Sequence, residues 1–169
     1  MAVRPPAATA QTGQFAGLDS LRVVVSGVTG EAPERLTADT VRRQIGAVLA
    51  GRGIAVDSAE TSATPALRVG FSIRRLEGGW VIGVRAEVVE LGVSLREYVR
   101  EVSRRLDDPA RGAAQSDSVL GDVRRNLTTW SRFVVATCGT DAGYDTALAV
   151  VEQLAAELAQ AVANDNPGG

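Results

Sequence analysis

Two runs of alternating apolar and polar residues flank a short turn near the middle of this 169-residue chain. Residues 67–76 place apolar side chains at every second position, and residues 80–89 return with the same alternation. The segment Glu77-Gly78-Gly79 between them is typical of a hairpin turn. A period of two residues predicts strands with one buried face, so the chain is expected to contain antiparallel sheet. The polar outer face would carry Arg68, Arg74, Arg85 and Glu87.

Two amphipathic helices are predicted, one before and one after this hairpin. Residues 37–53 have apolar side chains at helical spacing, with Thr37 placed to cap the start and Gly53 placed to end the helix. Residues 142–164 carry a single apolar stripe over five turns. Each helix therefore has one face to bury against a sheet.

Further strands are predicted at 21–28 and 128–138, and residues 54–56 form a short strand at best. The order of elements is β-α-β-β-(α)-β-α, in which the bracketed helix has an extension of the preceding strand as its alternative. We expect an α+β fold: a two-layer sandwich with an antiparallel or mixed sheet and two main helices on one face.

The length suits one domain, predicted to span 18–164 between a disordered tail over 1–17 and a second tail over 165–169. The arginine-rich segment 94–127 is interpreted as a variable insertion. Its first part, 94–106, has a capping box and helical spacing, which favour a helix, with an extension of the preceding strand as the alternative.

The absence of histidine and lysine excludes many kinds of catalytic site, since all 18 basic residues are arginine. A Ser-His-Asp or Ser-Lys arrangement is impossible, and Cys138 is the only thiol. We interpret Cys138 as a small packed side chain, with a reactive thiol as the alternative. Paired carboxylates such as Asp141 and Asp145 are explained by a helix start. No catalytic residue, metal ligand or cofactor is predicted.

A nucleotide-binding loop is also rejected. Residues 26–30 follow a strand and contain two glycines, but Glu31, Pro33 and Glu34 come next where a phosphate-binding helix would have to begin. The net charge of −2 offers no basic field for nucleic acid. The sequence contains no predicted membrane span.

Trp80 and Trp130 are candidate interaction residues, together with Arg74 and Arg85 on the outer face of the hairpin. Each tryptophan begins a predicted strand. Such a ring can cover the end of a core of small residues, or it can anchor a partner, because tryptophan is enriched at interface hot spots. Both interpretations stay open at this point.

Four blocks of the sequence resemble a family of small exported proteobacterial α+β proteins. They are residues 18–56 with the exit Gly53-Ile54-x-Val56, LRVGFSI at 67–73, TTWS at 128–131, and a long last helix ending in Asn166-Pro167. The order of elements is similar to that of TolB amino-terminal-like modules of envelope assemblies. The resemblance implies export, to the periplasm or outside the cell, and a role in binding partners or forming rings. Residues 8–10 also look like a signal-peptide cleavage site.

We therefore expect a non-enzymatic binding or assembly module of the bacterial cell envelope that self-associates or binds a protein partner. The alternatives are a carrier of a small apolar ligand and a hydrolase that uses carboxylates alone. A cytoplasmic location is the alternative to export.

Overall fold

A five-stranded mixed sheet forms one layer of the protein, with the strand order β2-β1-β3-β4-β5. The computed structural model describes residues 15, 17–28, 32–57, 64–93 and 124–166. The strands are β1 (Ser20–Ser26), β2 (Ala55–Asp57), β3 (Ala66–Leu76), β4 (Gly79–Val93) and β5 (Arg124–Gly139). Strand β1 is parallel to β2 and β3, whereas β4 is antiparallel to β3 and β5.

Two helices form the second layer and pack on one face of the sheet. They are α1 (Ala38–Ala50) and α2 (Gly143–Asp165), and a 3-10 turn (Thr140–Ala142) leads into α2. Both helices bury an apolar stripe in the same core as the inward-facing strand residues. The predicted α+β fold, with the helices on one face of a mixed sheet, is confirmed.

The predicted hairpin is present, and Glu77 and Gly78 form its turn. The pairing of β3 with β4 is continuous from Leu76 opposite Gly79 to Ala66 opposite Val89. Gly79 has a φ of 157°, and an added Cβ would lie 1.9 Å from the carbonyl oxygen of Cys138. A side chain at this position would therefore collide with the backbone of β5, which explains the glycine.

Helix α1 begins and ends at the residues that its capping pattern indicates. The Thr37 hydroxyl accepts a hydrogen bond from the backbone N–H of Thr40 at 3.1 Å. After Ala50 the chain turns through Gly53, whose φ of 80° is the left-handed conformation that favours glycine. Between these ends, the side chains of Val41, Ile45 and Leu49 are buried.

The pairing of β4 with β5 contains one irregularity, between Val88 and Val89. The extra residue, Thr129, belongs to β5, and β4 does not end at the change of apolar phase that the sequence shows at 91. Strand β4 continues to Val93, which pairs with Arg124. Strand β5 therefore begins inside the segment that the sequence assigns to an insertion. The predicted helix over 94–106 lies outside the described residues, as do residues 1–14.

The ends of the domain are joined by a set of hydrogen bonds. The backbone N–H of Phe15 donates to Asp165 at 3.0 Å, and the Asn166 side chain accepts from Gly17 at 2.8 Å and donates to the Phe15 carbonyl at 2.8 Å. The Phe15 side chain is buried in the core. A buried ring and a capping amide thus tie Phe15, Gly17, Asp165 and Asn166 together beside the predicted domain of 18–164.

Among the described residues, one helical segment (Thr140–Asp165) has the length and apolar composition of a membrane-crossing helix. No such span is predicted from the sequence. Residues of α2 such as Leu154, Leu158 and Val162 pack into the core between the helices and the sheet. A core helix meets the same criteria, so the packing of α2 explains its composition.

Candidate interaction surface

One face of the sheet is not covered by either helix, and we call it the open face. Strand alternation and the register of β1, β3, β4 and β5 define its members. They include Arg22, Val24, Ser26, Arg68, Gly70, Ser72, Arg74, Val81, Gly83, Arg85, Glu87, Ser131, Phe133, Val135 and Thr137.

The centre of the open face is lined with small residues, and arginines surround it. Gly70 and Ser72 on β3 lie between Arg68 and Arg74, both of which are exposed. Gly70 is paired with Arg85 on β4. Gly70 and Ser72 therefore form a shallow floor at the centre of the open face, and the long cationic side chains of the arginines surround it.

Strands β1, β3, β4 and β5 place four arginines and one glutamate on the open face, so it is positively charged although the whole chain is negative. Arg85 and Glu87 form an ion pair at 2.5 Å, and the Arg85 side chain is 65% exposed. Such exposed pairs contribute little to stability, typically about 0–1 kcal/mol. Arg68 and Arg74 form no ion pair with any described residue, which leaves their guanidinium groups available to a partner.

Two large apolar side chains lie exposed on the same face, near the edge of the sheet. Phe133 is 60% exposed and Val135 is 56% exposed. Phe133 is paired with Arg85, and Val135 is paired with Gly83. A single exposed apolar residue needs no explanation, but two side chains on one strand face form a continuous patch. Aromatic residues and arginine are also the types enriched at protein interfaces.

Strand β5, which carries these residues, is a long edge strand. It spans 16 residues, whereas β2 at the other edge has three. Arg132 lies on the core side of β5, where its Nε atom is 3.7 Å from a carboxylate oxygen of Glu157. An inward-pointing charge on an edge strand discourages the addition of another strand. We therefore locate the candidate interface on the open face and not along the free edge.

The predicted interaction residues fall on two different faces of the sheet. Arg74 and Arg85 lie on the open face. The Trp80 ring is 8% exposed and the Trp130 ring is 7% exposed, and both belong to the core on the other face. The structure thus supports core packing for both rings, and their binding of a partner stays a prediction.

The surroundings of Trp80 explain its burial. Its indole N–H donates to the carbonyl of Thr140 at 3.0 Å, and the guanidinium carbon of Arg75 lies 5.5 Å from the ring centroid. Gly143, at the start of α2, lies directly against the ring. Trp80 therefore joins the top of the hairpin to the start of the last helix.

Phe133 and Val135 were not among the residues that the sequence predicts for interaction. The run FVVATC is apolar on both faces, so its composition does not indicate which side chains point inward. The position of Trp130 indicates which side chains point inward. If the ring at 130 points inward, strand alternation places 132, 134, 136 and 138 inward and 133 and 135 outward. The same phase turns Arg132 toward the helices.

Within the described part of the chain, no group of three or more cysteine and carboxylate side chains could hold a metal ion. Cys138 is partly buried, and it is paired with Trp80 on the core face of the sheet.

An apolar pocket lies between both helices and the sheet. It is lined by Ile45, Leu67, Val69, Ala86, Val151, Leu154 and Ala155, and its cavity volume is about 10 Å³. Pockets for small organic ligands usually measure about 300–1,000 Å³. This space does not support the alternative of a ligand carrier.

No protein-family model matches the chain, and no curated protein matches it. Among solved structures, the chain is similar to a PelC dodecamer from Paraburkholderia phytofirmans, with 15% identity and a TM-score of 0.44, over 94% of this chain and 93% of that one. It is also similar to a minor lipoprotein from Acinetobacter baumannii, with 13% identity and a TM-score of 0.38, over 89% of this chain and 93% of that one. With identities and TM-scores this low, neither likeness indicates a function for this chain.

Proposed function

We propose that the protein is a non-enzymatic binding or assembly module that self-associates through the open face of its sheet. The observation that carries this proposal is the exposed pair Phe133 and Val135, which lies beside Arg85 on a face that neither helix covers. Burying this patch against a partner would remove apolar surface from water at about 25 cal/mol per Å². The flanking arginines would supply directional contacts.

The chemistry of the described residues favours binding over catalysis. The open-face residues named above are arginine, glycine, serine, threonine, valine and phenylalanine, with Glu87 as the one acid. Glycosidase-type hydrolysis needs two carboxylates held on either side of the scissile bond, and these residues do not provide them.

We further propose that the module acts in the bacterial cell envelope. The support comes from the sequence blocks that resemble small exported α+β proteins, among them residues 67–73 and 128–131. Detection of the native protein in the periplasmic fraction would support this assignment, and exclusive recovery from the cytoplasm would contradict it.

Light scattering coupled to size exclusion tests the self-association directly. The protomer mass is 17.6 kDa, and the proposal predicts a larger mass that rises with protein concentration. Val135→Asp places a charge in the apolar patch and is expected to weaken association by about tenfold or more, as for a residue central to an interface.

Val56→Asp is the matched control, since Val56 is 39% exposed and lies on β2, away from the open face. It introduces the same charge, and association should not change. Equal loss of association in both variants would contradict the proposal. So would a wild-type protein that stays monomeric at every concentration.

A further inference from the structure

The outer side of helix α2 is charged oppositely to the open face. Residues 143–165 contain four carboxylates and no basic residue. Asp145 and Glu152 are exposed, and the Glu152 carboxylate accepts a hydrogen bond from the Gln44 side chain of α1. Because the helices and the open face are on opposite sides of a two-layer fold, the acidic side of α2 and the positively charged open face point in different directions.

The exposed acids of α2 follow a regular stripe that alternates with alanine. Asp145, Ala149, Glu152 and Ala156 are spaced as i, i+4, i+7 and i+11, which places them on one side of the helix. Alanine lets a helix approach a flat surface closely. The stripe is therefore a narrow, small-residue ridge with carboxylates along it.

The open face has the complementary shape and charge. Its floor at Gly70 and Ser72 is small, and Arg68, Arg74 and Arg85 stand around that floor. Phe133 and Val135 border it on the β5 side. A helix that presents alanines to the floor would place its carboxylates within reach of the guanidinium groups, and guanidinium suits carboxylate geometry.

We propose that the open face of one copy binds the outer stripe of α2 on a second copy. This proposal rests on the proposed self-association and specifies its geometry. The contact is head-to-tail: each copy offers a sheet face to one neighbour and a helix face to another. Contacts of this kind generate rings when the rotation closes and filaments when it does not.

Charge argues against the simpler two-fold arrangement, in which two open faces meet. That arrangement would bring the arginines of two positively charged faces, among them Arg68, Arg74 and Arg85, into one interface. Like charges placed across an interface are strongly unfavourable. The head-to-tail contact instead pairs each positive face with a negative one.

Charge reversal tests the geometry. A sheet variant carries Arg68→Glu and Arg74→Glu, and a helix variant carries Asp145→Arg and Glu152→Arg. Each variant alone is expected to lose association by about tenfold or more, because it opposes like charges in every contact. A control with Arg43→Glu and Arg52→Glu, both exposed and outside the two surfaces, makes the same charge change as the sheet variant. It should associate like the wild type.

Mixing the two variants gives the decisive result. The acidic sheet face of one then meets the basic helix of the other, and the two unaltered surfaces also match, so an alternating assembly of wild-type mass should form. Far-UV circular dichroism checks that each variant is folded. Wild-type association and its recovery in the mixture should both weaken when salt is raised from about 50 mM to about 500 mM.

Different failures identify different errors. If the helix variant associates like the wild type while the sheet variant does not, the head-to-tail inference is wrong and association through the open face stands. A mixture that stops at a heterodimer also overturns the head-to-tail contact. If the sheet variant associates normally, both the inference and the open-face interface are wrong.

Discussion

The ring of Phe133 lies over Gly83 on the neighbouring strand, where an added Cβ would be 3.3 Å from two ring atoms. The two residues are diagonal neighbours in the β4–β5 pairing, since Gly83 is directly opposite Val135. An aromatic ring that covers a strand glycine shields its backbone from water, a known stabilising device in sheets. Phe133 thus has a role within the protomer as well as in the proposed interface.

Gly83→Ala should displace the Phe133 ring. Glycine in a strand costs about 0.5–1 kcal/mol relative to alanine, and the lost ring contact should cancel that gain. Gly70→Ala is the matched control, because its Cβ would meet only the Ser26 hydroxyl oxygen, at 3.6 Å. We expect Gly70→Ala to raise the free energy of unfolding by up to about 1 kcal/mol and Gly83→Ala to leave it unchanged. Urea denaturation measures both, and equal stabilisation would contradict the ring contact.

Gly143→Ala should destabilise the protein although alanine favours helix. The added Cβ would lie 2.6 Å from Trp80 Cδ1 and 2.9 Å from Pro33 Cγ. Overpacking of this kind costs about 1–3 kcal/mol. Gly46→Ala in α1 is the control, because its Cβ meets Val56 at an ordinary 3.8 Å. That change should stabilise by about 1 kcal/mol. A stabilised Gly143→Ala, measured by thermal unfolding, would show that Trp80 is not packed against the start of α2.

Asn166→Asp should loosen the junction between the chain ends. It keeps the shape of the side chain but removes the Nδ2 donor to the carbonyls of Phe15 and Val162, at 2.8 and 2.9 Å. Both carbonyls keep a backbone donor, from Leu18 at 3.0 Å and from Asn166 at 3.1 Å, so each lost side-chain hydrogen bond should cost about 0.5–1.5 kcal/mol. Asn164→Asp is the control, since Asn164 is exposed and its Oδ1 only accepts, from Gln160. Hydrogen exchange at Gly17 should accelerate in the first variant only, and unchanged exchange there would contradict the clamp.

The sheet-and-helix architecture could be predicted because its signals are local. Alternation at 67–89 and the glycine turn indicate the hairpin, and Thr37 and Gly53 delimit α1. The pairing of β1 between β2 and β3 could not be predicted, since parallel pairing joins segments distant in sequence and leaves no short-range pattern. The same reason explains why Arg124–Leu127, which has weak strand propensity, extends β5: its partner β4 holds it in the sheet.

The candidate surface was predicted in part. Alternation places Arg68, Arg74 and Arg85 on one side of the hairpin from sequence alone. Predicting the apolar half of the surface requires knowing which side chains of β5 point outward. Three consecutive apolar residues at 133–135 hide that alternation in the sequence. Only the pairing with β4 shows that Arg132 turns inward and Phe133 outward.

Chemical accessibility of the open face tests the central claim most directly. In a Cys138→Ala background, Ser72→Cys places one thiol at the centre of the open face, and Ala50→Cys places one at the exposed end of α1. Alkylation by a maleimide is timed in dilute and in concentrated protein. We predict that the thiol of Ser72→Cys reacts at least about tenfold more slowly in concentrated protein, while that of Ala50→Cys keeps its rate. Equal rates for Ser72→Cys at all concentrations would contradict the account.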